Sequence, residues 1–133
     1  MTLVDTNVLL DVVNRTPHWF EWADQQLQSA ALRGPLWIND VIYAEFSVRF
    51  ARSADVDRAL EVAGIDVAPI PRPALFVAGQ AFAKYRKSGG TRTGVLPDFF
   101  IGAHAAVSGL SLLTRDTARY RTYFPRLELI APD

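Results

Sequence analysis

The chain predicts an α/β protein built around a mostly parallel sheet covered on both faces. Short apolar runs alternate with longer helix-patterned segments along its length. Turn and cap residues fall between them, from Pro17 and Gly34 to Gly64 and Gly109. The chain has 133 residues, half of them apolar and 21% charged, as expected of one domain with a core of its own.

Leu3 to Asp5 is the first expected strand, leading into a helix through Asn14. "PHWFEWADQQLQSAALRG" reads as a second helix, with Pro17 in its first turn and Gly34 at its stop. "PLWIND" is a strand ending in Asp40, a good cap for the helix "VIYAEFSVRFAR". "SADVDRALEVAG" follows as a helix capped by Ser53 and stopped by Gly64, and "IDVAPIP" as a strand closed by prolines. "PALFVAGQAFAKYRK" is amphipathic and helical; "SGGTRTGVLP" reads as a mobile loop. A helix "DFFIGAHAAVSG", a strand "LSLLT", a short helix in "RDTARYRTYF" and a last strand "LELIA" complete the order.

No apolar stretch approaches the roughly 20 residues needed to span a bilayer, and no secretory leader is visible. The chain lacks cysteine, which excludes thiolate metal sites and disulfides. Cytoplasm is the expected compartment. Net charge is zero but uneven: residues 1–83 carry 6 Arg/Lys against 10 Asp/Glu, residues 84–133 carry 8 against 4. A basic second half suits an anionic partner, and equally an ordinary solvated surface.

Ligands of open parallel sheets sit beyond the carboxyl ends of the strands. Asp5 ends the first strand, Asp116 follows "LSLLT", and Asp98 starts the helix that feeds that strand. Glu45 interrupts the apolar run "VIYAEF". Each has a plainer reading. Asp5, Asp98 and Asp116 stand where helix caps belong, and Glu45 could pair with Arg49. Four carboxylates gathered at one rim would repel one another unless a hard cation such as Mg²⁺ or Mn²⁺ sat among them. Such an ion activates water and screens a phosphodiester.

The succession "LVDTNVLL", "INDVIYAEF", "LPDFFIGAHA" and "LLTRD" resembles the PIN-domain family, in particular the VapC-type toxins of toxin–antitoxin pairs. The resemblance spans essentially the whole chain. It implies a three-layer α/β/α fold and a Mg²⁺- or Mn²⁺-dependent endoribonuclease that cuts with metal-activated water, leaving a 3′-hydroxyl and a 5′-phosphate. It further implies a VapB-type antitoxin as partner and a homodimer. Asp5, Glu45, Asp98 and Asp116 match the four acids of the family's pattern, with Asp5, Asp98 and Asp116 as expected metal ligands. Glu45 is expected to orient or deprotonate the attacking water. Thr6, Asn7 and Thr114 match polar positions beside the acids. Arg86, Lys87, Arg92, Arg115 and Arg119 are the expected contacts to RNA phosphates.

Trp19 and Trp22, spaced i, i+3, read as core or as a seat for an antitoxin helix. His104, in an apolar helix, reads as structural. Beside the nuclease stands a different class, a non-catalytic PIN-fold module that binds RNA or protein. A phosphoacceptor receiver is disfavoured because only Asp5 follows the first strand and no lysine follows the last. A phosphatase of the DxD type is disfavoured because Asn7 takes the place of its second acid.

Overall fold

A computed structural model of the chain describes residues 1–92 and 94–133. Its elements in chain order are β1 (Thr2–Val4), α1 (Thr6–Val13), α2 (Phe20–Arg33), β2 (Leu36–Ile38), α3 (Asp40–Ser47), α4 (Ser53–Ala63), β3 (Ile65–Val67), α5 (Arg72–Lys87), α6 (Leu96–Ser108), β4 (Ser111–Leu113), α7 (Ala118–Tyr123) and β5 (Leu129–Ile130). The strands form one sheet in the order β3-β2-β1-β4-β5, every neighbouring pair parallel.

Successive residues of a strand point to opposite faces, yet Thr2, Leu3 and Val4 are all buried. Both faces of β1 are therefore covered by helices, as a parallel sheet requires. Leu3, Val4, Leu112 and Leu113 are fully buried with Val8, Ile38, Ile42, Phe99 and Ile101 around them. Each such side chain contributes about 1.5–3 kcal/mol through removal from water. Gly102 lets α6 lie flush on the C-terminal segment: a Cβ there would come within 2.5 Å of the Phe124 ring.

Several boundaries differ from the sequence reading, each for a local reason. Helix α2 begins at Phe20 rather than Pro17, because Arg15 and His18 take positive φ (49° and 70°), which a right-handed helix cannot include. Asn39, not Asp40, caps α3: its Oδ1 accepts the Ile42 N–H at 2.9 Å, and Asp40 becomes the first helical residue. Ser53 likewise lies inside α4, behind an Arg52 cap that makes no side-chain hydrogen bond. Strand β1 stops at Val4, which hands Asp5 to the N-cap of α1. Helix α6 starts at Leu96, so Asp98 sits within its first turn. Thr93, in the expected loop before it, lies outside the described residues.

His104 is buried and structural. The Asn39 amide donates to its Nδ1 at 3.1 Å, and burial lowers its pKa. Among the described residues, no helix is long and apolar enough to cross a membrane.

Candidate active site

The first strand lies between β2 and β4. The chain leaves β1 for β2 on one side and returns to β4 on the other, so the order reverses between β1 and β4. A crevice opens at the carboxyl ends of such a pair. Asp5 follows β1 there, and Thr114 and Asp116 follow β4; the Asp5 N–H donates to the Leu113 carbonyl at 2.9 Å.

Asp5 is only 5% exposed. Its Oδ1 accepts the Thr6 N–H at 2.7 Å. Its Oδ2 accepts hydroxyls from Thr114 at 2.8 Å and Tyr120 at 3.0 Å, and the Asn7 amide at 3.3 Å. Burial pushes its pKa up to about 6 against those hydrogen bonds, and the charge of Asp98 adds to the rise.

Thr6 and Asn7 extend outward from this carboxylate in two directions. The Thr6 hydroxyl donates to Glu45 Oε1 at 2.7 Å, tying α1 to α3. Glu45 is half-buried and makes no ion pair with Arg49, whose Nε donates instead to Asn14 Oδ1. The Asn7 amide nitrogen also donates to Thr114 Oγ1 at 3.2 Å, and its oxygen accepts the Arg115 N–H at 3.1 Å. The Thr114 hydroxyl in turn accepts the Asp116 N–H at 3.1 Å. The turn after β4 is thus held to the turn after β1 by one amide and one hydroxyl.

Asp98 enters from α6. Burial raises its pKa, Arg119 opposes that rise, and Asp116 adds to it. The Arg119 Nη1 donates to its Oδ2 at 2.6 Å, and both side chains are mostly covered, at 19% and 30% exposure. Asp116 itself is exposed. Of the three acids only Asp5 bonds the buried Tyr120 hydroxyl, whose pKa is pushed well up by burial first and then by the charges of Asp5, Asp98 and Asp116.

Among the described residues, no three acids or histidines stand together in a geometry that could hold a metal as placed. The donor chemistry nevertheless suits a hard divalent cation, since every group at the rim offers oxygen. Asp98 is the group already neutralised, by Arg119.

The arginines expected at the rim have distinct surroundings. Arg115 donates to both oxygens of Asp11, at 2.7 and 2.8 Å, and lies 4.9 Å over the Trp19 ring. Arg119 lies 6.0 Å from the centre of the Tyr85 ring. The Tyr85 hydroxyl accepts the Arg92 N–H at 3.1 Å, and Gly90 passes so close to that ring that a Cβ would come within 2.4 Å. Arg86, over Phe82, and Lys87 are exposed at the end of α5. Trp19 and Trp22 pack edge to face, half-buried.

Two residues of this network escaped the sequence reading. Tyr120 sits in a short amphipathic stretch and gives no warning of its partner. Asp11 did carry a signal, being an acid within "VLLDVV" much as Glu45 is within "VIYAEF".

Fold and site together define a parallel α/β protein with a buried acid and an exposed one at the carboxyl ends of its central strands. The profile of the PIN domain family matches residues 2–125, and the chain belongs to that family. It superposes on VapBC2 from Rickettsia felis, solved bound to a DNA fragment from its promoter. The TM-score is 0.75 at 17% identity, over 99% of this chain and 98% of the other. Against FitAcB from Neisseria gonorrhoeae the TM-score is 0.69 at 20% identity, over 98% and 96%. Against DNA-bound VapBC from Salmonella typhimurium it is 0.65 at 19%, over 98% and 96%. At these identities the likeness shows the fold. No curated protein matches the chain.

Proposed function

We propose that the chain is a VapC-type toxin, an endoribonuclease that hydrolyses RNA phosphodiesters with the help of Mg²⁺ or Mn²⁺ and is neutralised by a VapB-type antitoxin. The observation that carries this reading is the placement of Asp5 and Asp116 beyond the carboxyl ends of the adjacent strands β1 and β4, where the Thr114 hydroxyl donates to Asp5 and accepts the Asp116 N–H. Burying the Asp5 carboxylate costs stability that its four hydrogen bonds offset only in part, since its pKa still rises, and such local costs concentrate at functional sites.

Asp5, Asp98 and Asp116 would hold the cation, which when bound screens the phosphodiester charge and favours ionisation of water. Thr114, Tyr120 and Asn7 hold Asp5 Oδ2, and Thr6 holds Oδ1, which fixes the carboxylate plane before substrate arrives. Glu45, oriented by the Thr6 hydroxyl, is the base that aligns the attacking water. Arg86, Lys87 and Arg92 are exposed and free to meet RNA phosphates.

For the antitoxin, the support is an apolar groove of about 670 Å³ between α1, α2 and α4, lined by Leu9, Val12, Leu27, Phe46, Leu60 and Ile65. An amphipathic helix fits such a groove. The half-buried Trp19–Trp22 pair offers less open surface. VapBC complexes among the structural relatives support the same partner class. The homodimer is proposed on the family resemblance. The Arg119–Asp98 pair favours the second reading, a PIN-fold module that binds without cutting, because it neutralises one acid internally.

The discriminating experiment incubates purified chain with a mixed RNA pool and Mn²⁺, with EDTA as one arm and Asp5→Asn as the other. Cleavage is expected with Mn²⁺ and lost in both arms. Cleavage that persisted with EDTA or in the variant would remove the metal-nuclease reading; binding without any cleavage would favour the module.

A further inference from the structure

Arg119 occupies an unusual place for an arginine expected to grip substrate. Its Nη1 is 2.6 Å from Asp98 Oδ2, its side chain is 19% exposed, and the Tyr85 ring lies 6.0 Å from its guanidinium. Asp98 is in direct contact, and the charge of Asp116 reaches the same carboxylate. Arg119 thus supplies positive charge directly to Asp98, whereas Arg115 commits its guanidinium to Asp11 and is touched by Asp116 only through charge.

We propose that Arg119 is an exchangeable internal counter-ion, competing with a divalent cation for Asp98 and so setting the concentration at which the site loads. The proposal rests on the metal-dependent reading above. A carboxylate oxygen donating its lone pair to a guanidinium N–H at 2.6 Å cannot offer the same lone pair to a metal. Asp98 Oδ1 carries none of this bond, so the competition is for the charge of the carboxylate. A cation on Asp98 meets the guanidinium charge at its side, and one placed along the same Oδ2 lone pair displaces the hydrogen bond. The cost is limited, because the guanidinium keeps its seat on the Tyr85 face while it gives up the carboxylate. Coupling of this kind is reciprocal: whatever holds Arg119 elsewhere, a phosphate included, tightens the cation by the same factor.

The consequence runs against intuition for a basic residue beside an active centre, since removing it improves metal binding. Mn²⁺ is titrated calorimetrically into the chain and into Arg119→Gln, Arg119→Lys and Arg121→Gln. Arg121 is an exposed arginine on the same helix, so its variant removes equal net charge without touching Asp98. Arg119→Gln is expected to bind Mn²⁺ at least about fivefold more tightly, the lower end of common coupling strengths. The other two variants are expected to stay within about twofold of the parent chain, which sets the scale of a long-range charge effect.

Equal or weaker binding by Arg119→Gln overturns the proposal, as does an equal gain in Arg121→Gln. Absence of Mn²⁺ binding in all four proteins is a different failure, which removes the metal reading and this inference with it. A measurement on the unmodified chain guards against a variant that does not fold. The Arg119 Nε–H resonance is followed while Mg²⁺ is added, and it is expected to shift along the metal-binding curve. A resonance that stays fixed through saturation overturns the exchange.

Discussion

The Tyr120 hydroxyl donates to Asp5 Oδ2 at 3.0 Å, joining the start of α1 to α7 across the crevice between β1 and β4. Both groups are buried, and neither has water to fall back on. A hydrogen bond to an ionised group contributes about 1.5–3 kcal/mol. Tyr120→Phe is therefore expected to destabilise the chain by roughly that amount, measured by denaturant unfolding at neutral pH. The loss should shrink in acid, where Asp5 is protonated and the bond is to a neutral carboxyl. A cost that is the same on both sides of about pH 6 would mean that the hydroxyl supports packing rather than charge.

Asp5 also gives the fold a pH dependence of unusual sign for a carboxylate. Its pKa rises from 3.8 to about 6 on folding, chiefly through burial. Between those values the folded state binds more protons than the unfolded state, so stability falls as pH rises. The contribution is complete below 3.8 and lost above about 6. Two units at 1.36 kcal/mol each make an upper limit of about 3 kcal/mol. Asn at this position carries no titrating proton, although its amide cannot accept all four donors that surround Asp5. Measured against the parent chain, Asp5→Asn should gain about 2–3 kcal/mol of relative stability between about pH 4 and about pH 8. A flat difference across that range would contradict the assigned shift.

Asp11 and Arg115 form a two-point ion pair with the carboxylate 2% exposed and the guanidinium 32% exposed. The hydrogen bonds to Asp11 raise the pKa of Arg115. Removing the arginine strands a buried carboxylate, whereas breaking a fully buried pair costs about 3–5 kcal/mol. Partial solvent access on the arginine side lowers the expectation for Arg115→Gln to about 2 kcal/mol. The change should also loosen the turn after β4, because the Arg115 backbone N–H is bound to Asn7. Hydrogen exchange at the amides of Arg115 and Asp116 checks this; unchanged protection would show that the backbone bond alone holds the turn.

The strand ends were legible because the chemistry there is local. "LV" before Asp5 and "LSLL" before Thr114 mark strands by composition, and a parallel sheet then fixes which end carries the acids. Pairings between distant side chains were not. Nothing near Asp98 announces that Arg119 will reach it from α7, or that Tyr120 will reach Asp5. The choice between Asn39 and Asp40 as a cap was also beyond local reading, since both offer an acceptor. Asn39 serves both contacts, its Oδ1 accepting the Ile42 N–H and its amide nitrogen meeting His104 Nδ1, a tertiary pairing that no local pattern announces.

The loop after α5 and the Arg115 anchor make different forecasts for RNA. Arg92 and Arg86 are exposed, while Arg115 has its guanidinium engaged by Asp11 and Trp19. Each phosphate contact adds nearly one unit to the slope of log affinity against log salt, about 0.7 for a single strand. Affinity for a labelled single-stranded RNA is measured in EDTA, which suppresses metal-dependent cutting, over a series of salt concentrations. Arg92→Gln is expected to weaken binding at every salt and to reduce the slope by about 0.7, and Arg86→Gln should do likewise. Arg115→Gln should leave the slope unchanged, because a guanidinium already neutralised by a carboxylate releases no counter-ion from the RNA. A slope lost in Arg115→Gln and kept in Arg92→Gln would reverse the assignment, placing the RNA path along α1 and α2 instead of the loop before α6.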